Sequence, residues 1–421
     1  MATTKITSQL LRWLVLREGW AEDSTDLFAR LVREAPVVRF PGANGMWVVS
    51  RHDLVTKISN HKGFATVRPT FPEHSRENNA DFVDFFTQSL TFQPPDDHRR
   101  LRGVLAGGFT SLSLERLRER TAALIDELLA PLVADGGGEF VSQVAVPLPS
   151  LVTAALLDLP EEDWPSVTGW ARGMLAQLGA AYFGAATPMD PISIEQFRAL
   201  RSYVDEVVRR REKSRGPDVI SRLAAAKDAR QVSHEEVVNL VLLLFMTGVD
   251  TVTSALANSL VGLLGRPQEW RRVVADPDRA GAAFEESVRL LAPAAIGVRT
   301  AREDVAFGAR TVREGDVVML AYAAANLDPR RFEDPLEFRW DRVQSTSMTF
   351  GHGRHYCLGA RLGLMQGELV LRKLAGTDVA LARTEPLVWR NELAFNSPAE
   401  LRLRFGPDTA VPRRELSRGM S

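Results

Sequence analysis

The stretch SHEEVVNLVLLLFMTGVDTVTSALANSLVGLLGRP, Ser233 to Pro267, leaves this chain few choices of architecture. Ser233 can cap a helix while Glu236 reaches back as its capping-box partner, and Gly265-Arg266-Pro267 supplies the stop. At about 1.5 Å rise per residue the helix between them runs roughly 45 Å, enough to cross a whole globular body. A helix that long is a spine on which other elements pack.

Around it the pattern divides. From about Asp96 to Leu291 apolar residues recur at helical spacing, broken by loops such as Asp135 to Gly138, Ala186 to Pro191 and Lys213 to Asp218. Val37 to Ser50 reads as a strand pair turning at Asn44-Gly45, and Val305 to Tyr322 as a second hairpin, followed by an irregular Pro-rich stretch through Val343. The expectation is a mainly α fold with a smaller β-rich lobe. The 421 residues, 45% hydrophobic and 25% charged, can fill a sizeable core. A formal net charge of -1 gives no footprint for nucleic acid. Neither Leu10 to Leu16 nor the longest apolar run, Leu240 to Met246, is long enough for a membrane anchor.

One cysteine in 421 residues excludes a disulfide framework and agrees with a reducing, cytoplasmic compartment. That cysteine, Cys357, lies in FGHGRHYCLG, residues 350 to 359. Apolar Leu358, Leu362, Met365 and Leu369 mark one face of a helix beginning at or next to it. The unpaired N–H groups at a helix start stabilise a thiolate, the form that binds metal or attacks electrophiles. Gly351, Gly353 and Gly359 let the backbone lie close against something flat, with Phe350 shielding one side. An isolated cysteine is more often an inert buried thiol.

The six fixed positions Phe350, Gly351, Gly353, His355, Cys357 and Gly359 decide otherwise, because together they resemble the cysteine-ligand loop of the cytochrome P-450 family of heme-thiolate monooxygenases. The resemblance covers most of the chain. It implies one cytochrome P-450 domain over residues 1–421, with the heme between the long central helix (about 234–264) and the cysteine-ligand loop and helix (350–375). The β-rich lobe would comprise about 36–70, 294–325 and 380–406, and the helical lobe about 96–292 and 357–375. Cys357 would be the axial ligand of a non-covalent heme b.

Other segments resemble the family's further motifs. TGVDTVT, Thr247 to Thr253, resembles the oxygen-activating stretch, making Asp250 and Thr251 its acid-alcohol pair and Gly248 the point of close ligand approach. Read alone, Thr251 could equally bond back to the carbonyl of Thr247. Thr247 stands where the family usually has alanine, and Val252 where many bacterial members have a second threonine. Glu286 and Arg289 form E-x-x-R, and Arg342 in FRWDR resembles the third member of the same structural triad. ANLDP, Ala325 to Pro329, resembles A-N-R-D-P with Leu327 in place of arginine. Heme carries two propionates, and His98, Arg102, Arg299 and His355 resemble the family's propionate partners.

The implied activity is insertion of one oxygen atom from O2 into a small, largely apolar substrate, in bacterial secondary metabolism. Coupling or desaturation by the same heme chemistry, a cysteine hydrolase and a non-catalytic binding protein are the alternatives. No G-x-G-x-x-G sits between a strand and a helix, so electrons would come from NAD(P)H through a separate ferredoxin reductase and ferredoxin to a monomer. Arg99, Arg100, Arg361, Arg372 and Lys373 are expected to dock that ferredoxin. By family analogy substrate contacts would come from Phe82, Phe86, Met246, Thr247, Ile296 and Phe395, with ordinary packing as the other reading of the two aromatics 82 and 86.

Overall fold

A computed structural model describes residues 24–40, 45–67, 71, 73–109, 111–182, 190–307, 310–342, 347–377, 380–383, 387–390 and 397–406. The helices that position the site are α1 (Pro95–Ala106), α2 (Ser111–Ala134), α3 (Pro147–Leu156), α4 (Pro191–Lys213), α5 (His234–Leu264), α6 (Ala280–Leu290) and α7 (Ala360–Ala375). The main sheet has β1 (Val37–Arg39), β2 (Met46–Val49), β3 (Phe64–Thr66), β4 (Gly297–Ala301) and β5 (Val317–Leu320), in the order β1-β2-β5-β4-β3.

The spine forms as its sequence dictates. Ser233 Oγ accepts from the Glu236 N–H at 3.1 Å, and the Ser233 N–H donates to Glu236 Oε2 at 2.7 Å, so the capping box closes. By length and composition α5 could cross a bilayer, yet 61% of its apolar window is buried inside the fold. Its neighbours include α3, α4, α6 and α7, and the core formed there holds Leu240, Phe245, Leu256 and Leu260. Thr253 Oγ1 donates to the Ala145 carbonyl at 2.9 Å, and Asn258 Nδ2 to that of Leu291 at 3.0 Å, which fixes the rotation of α5 about its axis.

The sheet is antiparallel except for β2 against β5, where Val48 faces Met319. Thr66 on β3 pairs with Arg299 on β4, so one sheet edge carries both toward the cysteine loop. A second core of Trp47, Ile58, Phe64, Val318 and Leu320 lies on this sheet and takes in Met348, just ahead of the loop. The expected hairpin at 305–322 is shorter than its sequence suggested. Val305–Phe307 pairs with Arg310–Val312, while the following strand joins the main sheet as β5 and Tyr322–Ala325 becomes a helical turn. Ahead of α1 lie two further helices, Glu73–Asn78 and Ala80–Thr87, and the second carries Phe82 and Phe86.

The two halves are tied by buried charge. Glu286 and Arg289 on α6 are fully buried and meet through two hydrogen bonds of 2.8 Å. Arg342 Nε adds 2.9 Å to Glu286 Oε1, and the Arg339 N–H adds 3.0 Å. Arg289 Nη1 then donates to the carbonyls of Asn326 and Pro335, while Arg342 donates to those of Asp334 and Glu337. Asn326 Oδ1 in turn accepts from the Met348 N–H at 2.6 Å, and Thr349 Oγ1 donates to the Val288 carbonyl at 3.1 Å. The triad therefore anchors the irregular segment and the start of the cysteine loop to α6. Because α6 packs on α7 through Gly367, where any Cβ would meet the Phe284 ring at 2.2 Å, the loop is held at both ends.

Arg289→Leu removes two 2.8 Å donors from the buried Glu286 carboxylate and should destabilise the fold by about 3–5 kcal/mol, measured by urea unfolding. A loss below about 1 kcal/mol would show that the network is dispensable.

Candidate functional site

Gly351 and Gly353 adopt φ of 70° and 72°, and a Cβ on Gly353 would stand 2.6 Å from Asn60 Oδ1 and 3.0 Å from the Ser59 carbonyl. Only glycine takes this path easily. The loop folds back on itself, with the Cys357 N–H donating to the Phe350 carbonyl at 2.9 Å. The helix starts later than expected: Gly359 is its cap and Ala360 its first residue, so Cys357 lies in the loop. Burial pushes the Cys357 thiol pKa above its ordinary value, and the Gly359 N–H and Arg102 offset that only in part. Cys357 is nonetheless exposed by surface area. Dense protein surrounds a sulfur that an opening still reaches.

Basic side chains from three segments of the chain lie around it. His98 on α1 is 4% exposed and its ring centroid is 4.6 Å from that of His355. Arg102, one helical turn on, donates to the Tyr356 carbonyl at 2.6 Å. Arg299 is 7% exposed on β4, and its strand partner Thr66 places Oγ1 3.3 Å from His355 Nε2. Arg354 adds a further guanidinium whose Nε donates to His355 Nε2 at 3.0 Å. Burial first, then Arg102 and Arg354, lowers His98 to about 4. Burial, then Arg299 and the other cations, lowers His355 to about 3. Among the described residues no carboxylate forms an ion pair with Arg102, Arg299 or Arg354. Such a donor set suits a dianion, and the two propionates of heme fit it.

The spine supplies the other wall. Thr247 is exposed although it stands midway along a core helix, and Leu244, Gly248 and Thr251, at helical spacing on the same face, are half-buried. This stripe opens onto space where the other faces of α5 meet core. Gly248 touches only Thr153 Oγ1, at 3.6 Å from an ideal Cβ, so no protein contact requires a glycine there. Thr251 Oγ1 donates to the Thr247 carbonyl at 2.9 Å, the local bond that its sequence allowed, and Thr247 Oγ1 donates to Leu243 at 2.9 Å. Asp250 Oδ1 lies 3.6 Å from Arg390 Nη1. The segment bearing Arg390 is clamped to α5 by a 3.1 Å bond from Ser254 Oγ to Ser397 Oγ.

Other expectations fare differently. Phe82 and Phe86 are fully buried and stack at 6.2 Å, with Phe197 5.2 Å from Phe82, so they pack in the core and line no open space. Met246 is buried, Ile296 is half-buried, and Phe395 lies outside the described residues. Of the five residues expected to dock a partner, Arg100 is held by Asp97 and Glu236, Arg372 by Asp278 and Lys373 by Asp126, while Arg99 pairs with Asp96. These pairs cancel much of the charge such a patch would offer. Sequence reasoning missed Arg354, Thr66 and Arg390. Only Arg354, a second basic residue inside the loop, carried a local signal.

Residues 187–374 match the family model described as cytochrome P-450. Biflaviolin synthase from Streptomyces coelicolor is 32% identical over 385 residues, 89% of this chain and 91% of that protein. Nocardicin C N-oxygenase from Nocardia uniformis subsp. tsuyamanensis is 30% identical over 385 residues, 89% of this chain and 94% of its own. The solved structure of the cytochrome P-450 BioI with hexadec-9Z-enoic acid ligated acyl carrier protein is similar with a TM-score of 0.80 and 27% identity, covering 91% of this chain and 98% of that one. The loop, the cationic cradle and these likenesses lead to one conclusion: the chain belongs to the cytochrome P-450 family, heme-thiolate monooxygenases that bind heme b through a cysteine.

Proposed function

We propose that this enzyme inserts one oxygen atom from O2 into a small, largely apolar organic substrate in bacterial secondary metabolism, with Cys357 as the only axial thiolate the chain can offer. The observation that carries the reading is the cradle of His98, Arg102, Arg299 and His355 beside that cysteine, whose two guanidinium groups are ion-paired to no carboxylate among the described residues. Heme held there supplies oxygen activation, and the thiolate strengthens it by pushing electron density onto iron. Each turnover consumes two electrons and two protons, releasing one oxygen atom as water. The chain's own task is to hold, orient and deliver.

Arg102 and Arg299 would grip the propionates, with His98 and His355 as further donors. With positive φ at Gly351 and Gly353, the loop backbone would lie close against the ring, and Phe350 would shield one side. Asp250 and Thr251 would relay protons. In the present arrangement Arg390 holds the carboxylate at Oδ1 and the Thr251 hydroxyl proton is committed to the Thr247 carbonyl, so both side chains must turn to hand a proton toward the open stripe of α5. Thr247 offers no proton of its own to that site while its hydroxyl donates to the Leu243 carbonyl, but its oxygen can still accept one. Glu286, Arg289 and Arg342 hold the loop and take no part in the chemistry.

Electrons would come from NAD(P)H through a ferredoxin and its reductase in the cytoplasm. With Arg99, Arg100, Arg372 and Lys373 paired within the chain, a ferredoxin docking on this face would compete with the chain's own carboxylates for most of the five cations. A relative crystallised with a loaded acyl carrier protein favours a second reading, in which the substrate arrives tethered to a carrier.

Replacing Arg299 with Ala removes a charge-assisted contact and should raise the heme dissociation constant about tenfold to a hundredfold, read as faster heme transfer to a scavenging apoprotein. Unchanged transfer in both Arg299→Ala and Arg102→Ala would remove the cradle from the account. Once a substrate is found by its shift of the heme spin state, Thr251→Ala and Asp250→Asn should lower product formed per NAD(P)H consumed by about tenfold or more, the size of a lost general-acid contribution. Full coupling in both variants would refute the relay.

A further inference from the structure

Tyr322 has a ring and a hydroxyl in different surroundings. The residue is 9% exposed, and its ring belongs to the second core with Val318, Leu320 and Met348. A tyrosine hydroxyl in such a place ordinarily finds a partner, because leaving the bond unmade costs free energy. Among the described residues Tyr322 Oη has none, and unlike Ser59 Oγ and Ser150 Oγ it is not sealed away from open space.

The main sheet shows where that space lies. An ideal Cβ on Gly297 would stand 2.4 Å from Tyr322 Oη, so the hydroxyl occupies the position that a side chain at 297 would take. Gly297 has no positive φ, and the close approach of Tyr322 is what a glycine there permits. Gly297 and Arg299 are two residues apart on β4 and share one face, about 7 Å from each other along the strand. Their partners on β5, Leu320 and Val318, lie in the second core, while Met319 between them lies in the main one. Arg299 Nη1 donates to the Val298 carbonyl at 2.9 Å, which keeps the guanidinium close to the strand. On its other side Arg299 pairs with Thr66, whose Oγ1 is 3.3 Å from His355 Nε2. One sheet face thus carries Tyr322 Oη, Arg299, Thr66 and His355 in succession.

We propose that Tyr322 is a further heme-binding residue, its hydroxyl donating to the propionate that Arg299 grips. A phenol offers one proton and lone pairs, and toward a carboxylate it is the proton that binds. A hydrogen bond to a charged acceptor is stronger than one to a neutral group, so a propionate suits a hydroxyl that the chain itself leaves unpaired. Gly297 contributes by leaving room. The inference rests on the heme reading of the cradle, because without an anion there Tyr322 Oη has nothing to bind.

The test is resonance Raman spectroscopy of the heme-loaded protein, read at the propionate bending band, together with heme transfer to a scavenging apoprotein. Tyr322→Phe removes the hydroxyl and keeps the ring, so the second core stays filled. The band should shift, and transfer should quicken about tenfold, as the loss of one hydrogen bond to a charged group predicts. Gly297→Ala, whose Cβ displaces Oη, should shift the band in the same direction. Arg299→Ala is the control for the site. A band that moves in Arg299→Ala but not in Tyr322→Phe would overturn the proposal and leave the heme reading standing. Faster transfer from Tyr322→Phe with an unmoved band would make Tyr322 a packing residue and overturn it equally. A band that moves in neither variant would remove the cradle as well, and a chain that takes up no heme would end both readings.

Discussion

The site depends on a carboxylate that never meets water. Glu286 is fully buried and shared by Arg289, Arg342 and the Arg339 N–H, and every remaining donor of the two guanidinium groups is directed at carbonyls of the irregular segment before the cysteine loop. Burying such a group is costly, and the cost is met only where all partners are present together. The consequence is positional. An irregular stretch with no ladder of its own is pinned through Asn326 and Thr349 to the helix that packs against α7. The same buried network thus fixes where the cysteine can be.

Electrostatics then separates the molecule into regions of opposite character. Beside Cys357, five basic or potentially basic side chains converge, and both histidines are kept neutral by burial and by their neighbours. At the N-terminal end of α5 three carboxylates, Asp97, Glu235 and Glu236, are held by Arg100 and Arg201. Between these, the stripe of Leu244, Thr247, Gly248 and Thr251 opens a helix that is otherwise core. A dianionic cofactor would relieve the first region, and the proposed apolar substrate would meet the third.

What was legible in the sequence is what local chemistry decides. The ends of α5 follow from a capping box and a Gly-Arg-Pro stop within a few residues, and the cysteine loop from glycines that permit positive φ. Other features depend on residues far apart in the chain. Asp250 reads as free until Arg390, 140 positions later, is brought beside it by a strand pair. Phe82 and Phe86 look like pocket residues because aromatics suit pockets, but they lie on a helix whose buried face meets Phe197. The neutralised docking patch was partly readable: Asp96 and Asp97 precede Arg99 and Arg100 by three residues, the spacing of helical ion pairs.

The central claim is that Cys357, as thiolate, holds heme in this cradle. The most direct test is the difference spectrum of the reduced, carbon monoxide-treated protein beside a Cys357→Ala variant that melts at the same temperature without heme. The account predicts a strongly red-shifted Soret band in the parent and its loss in the variant. A band that persists in the variant, or a parent protein that takes up no heme under conditions that load other family members, would contradict it.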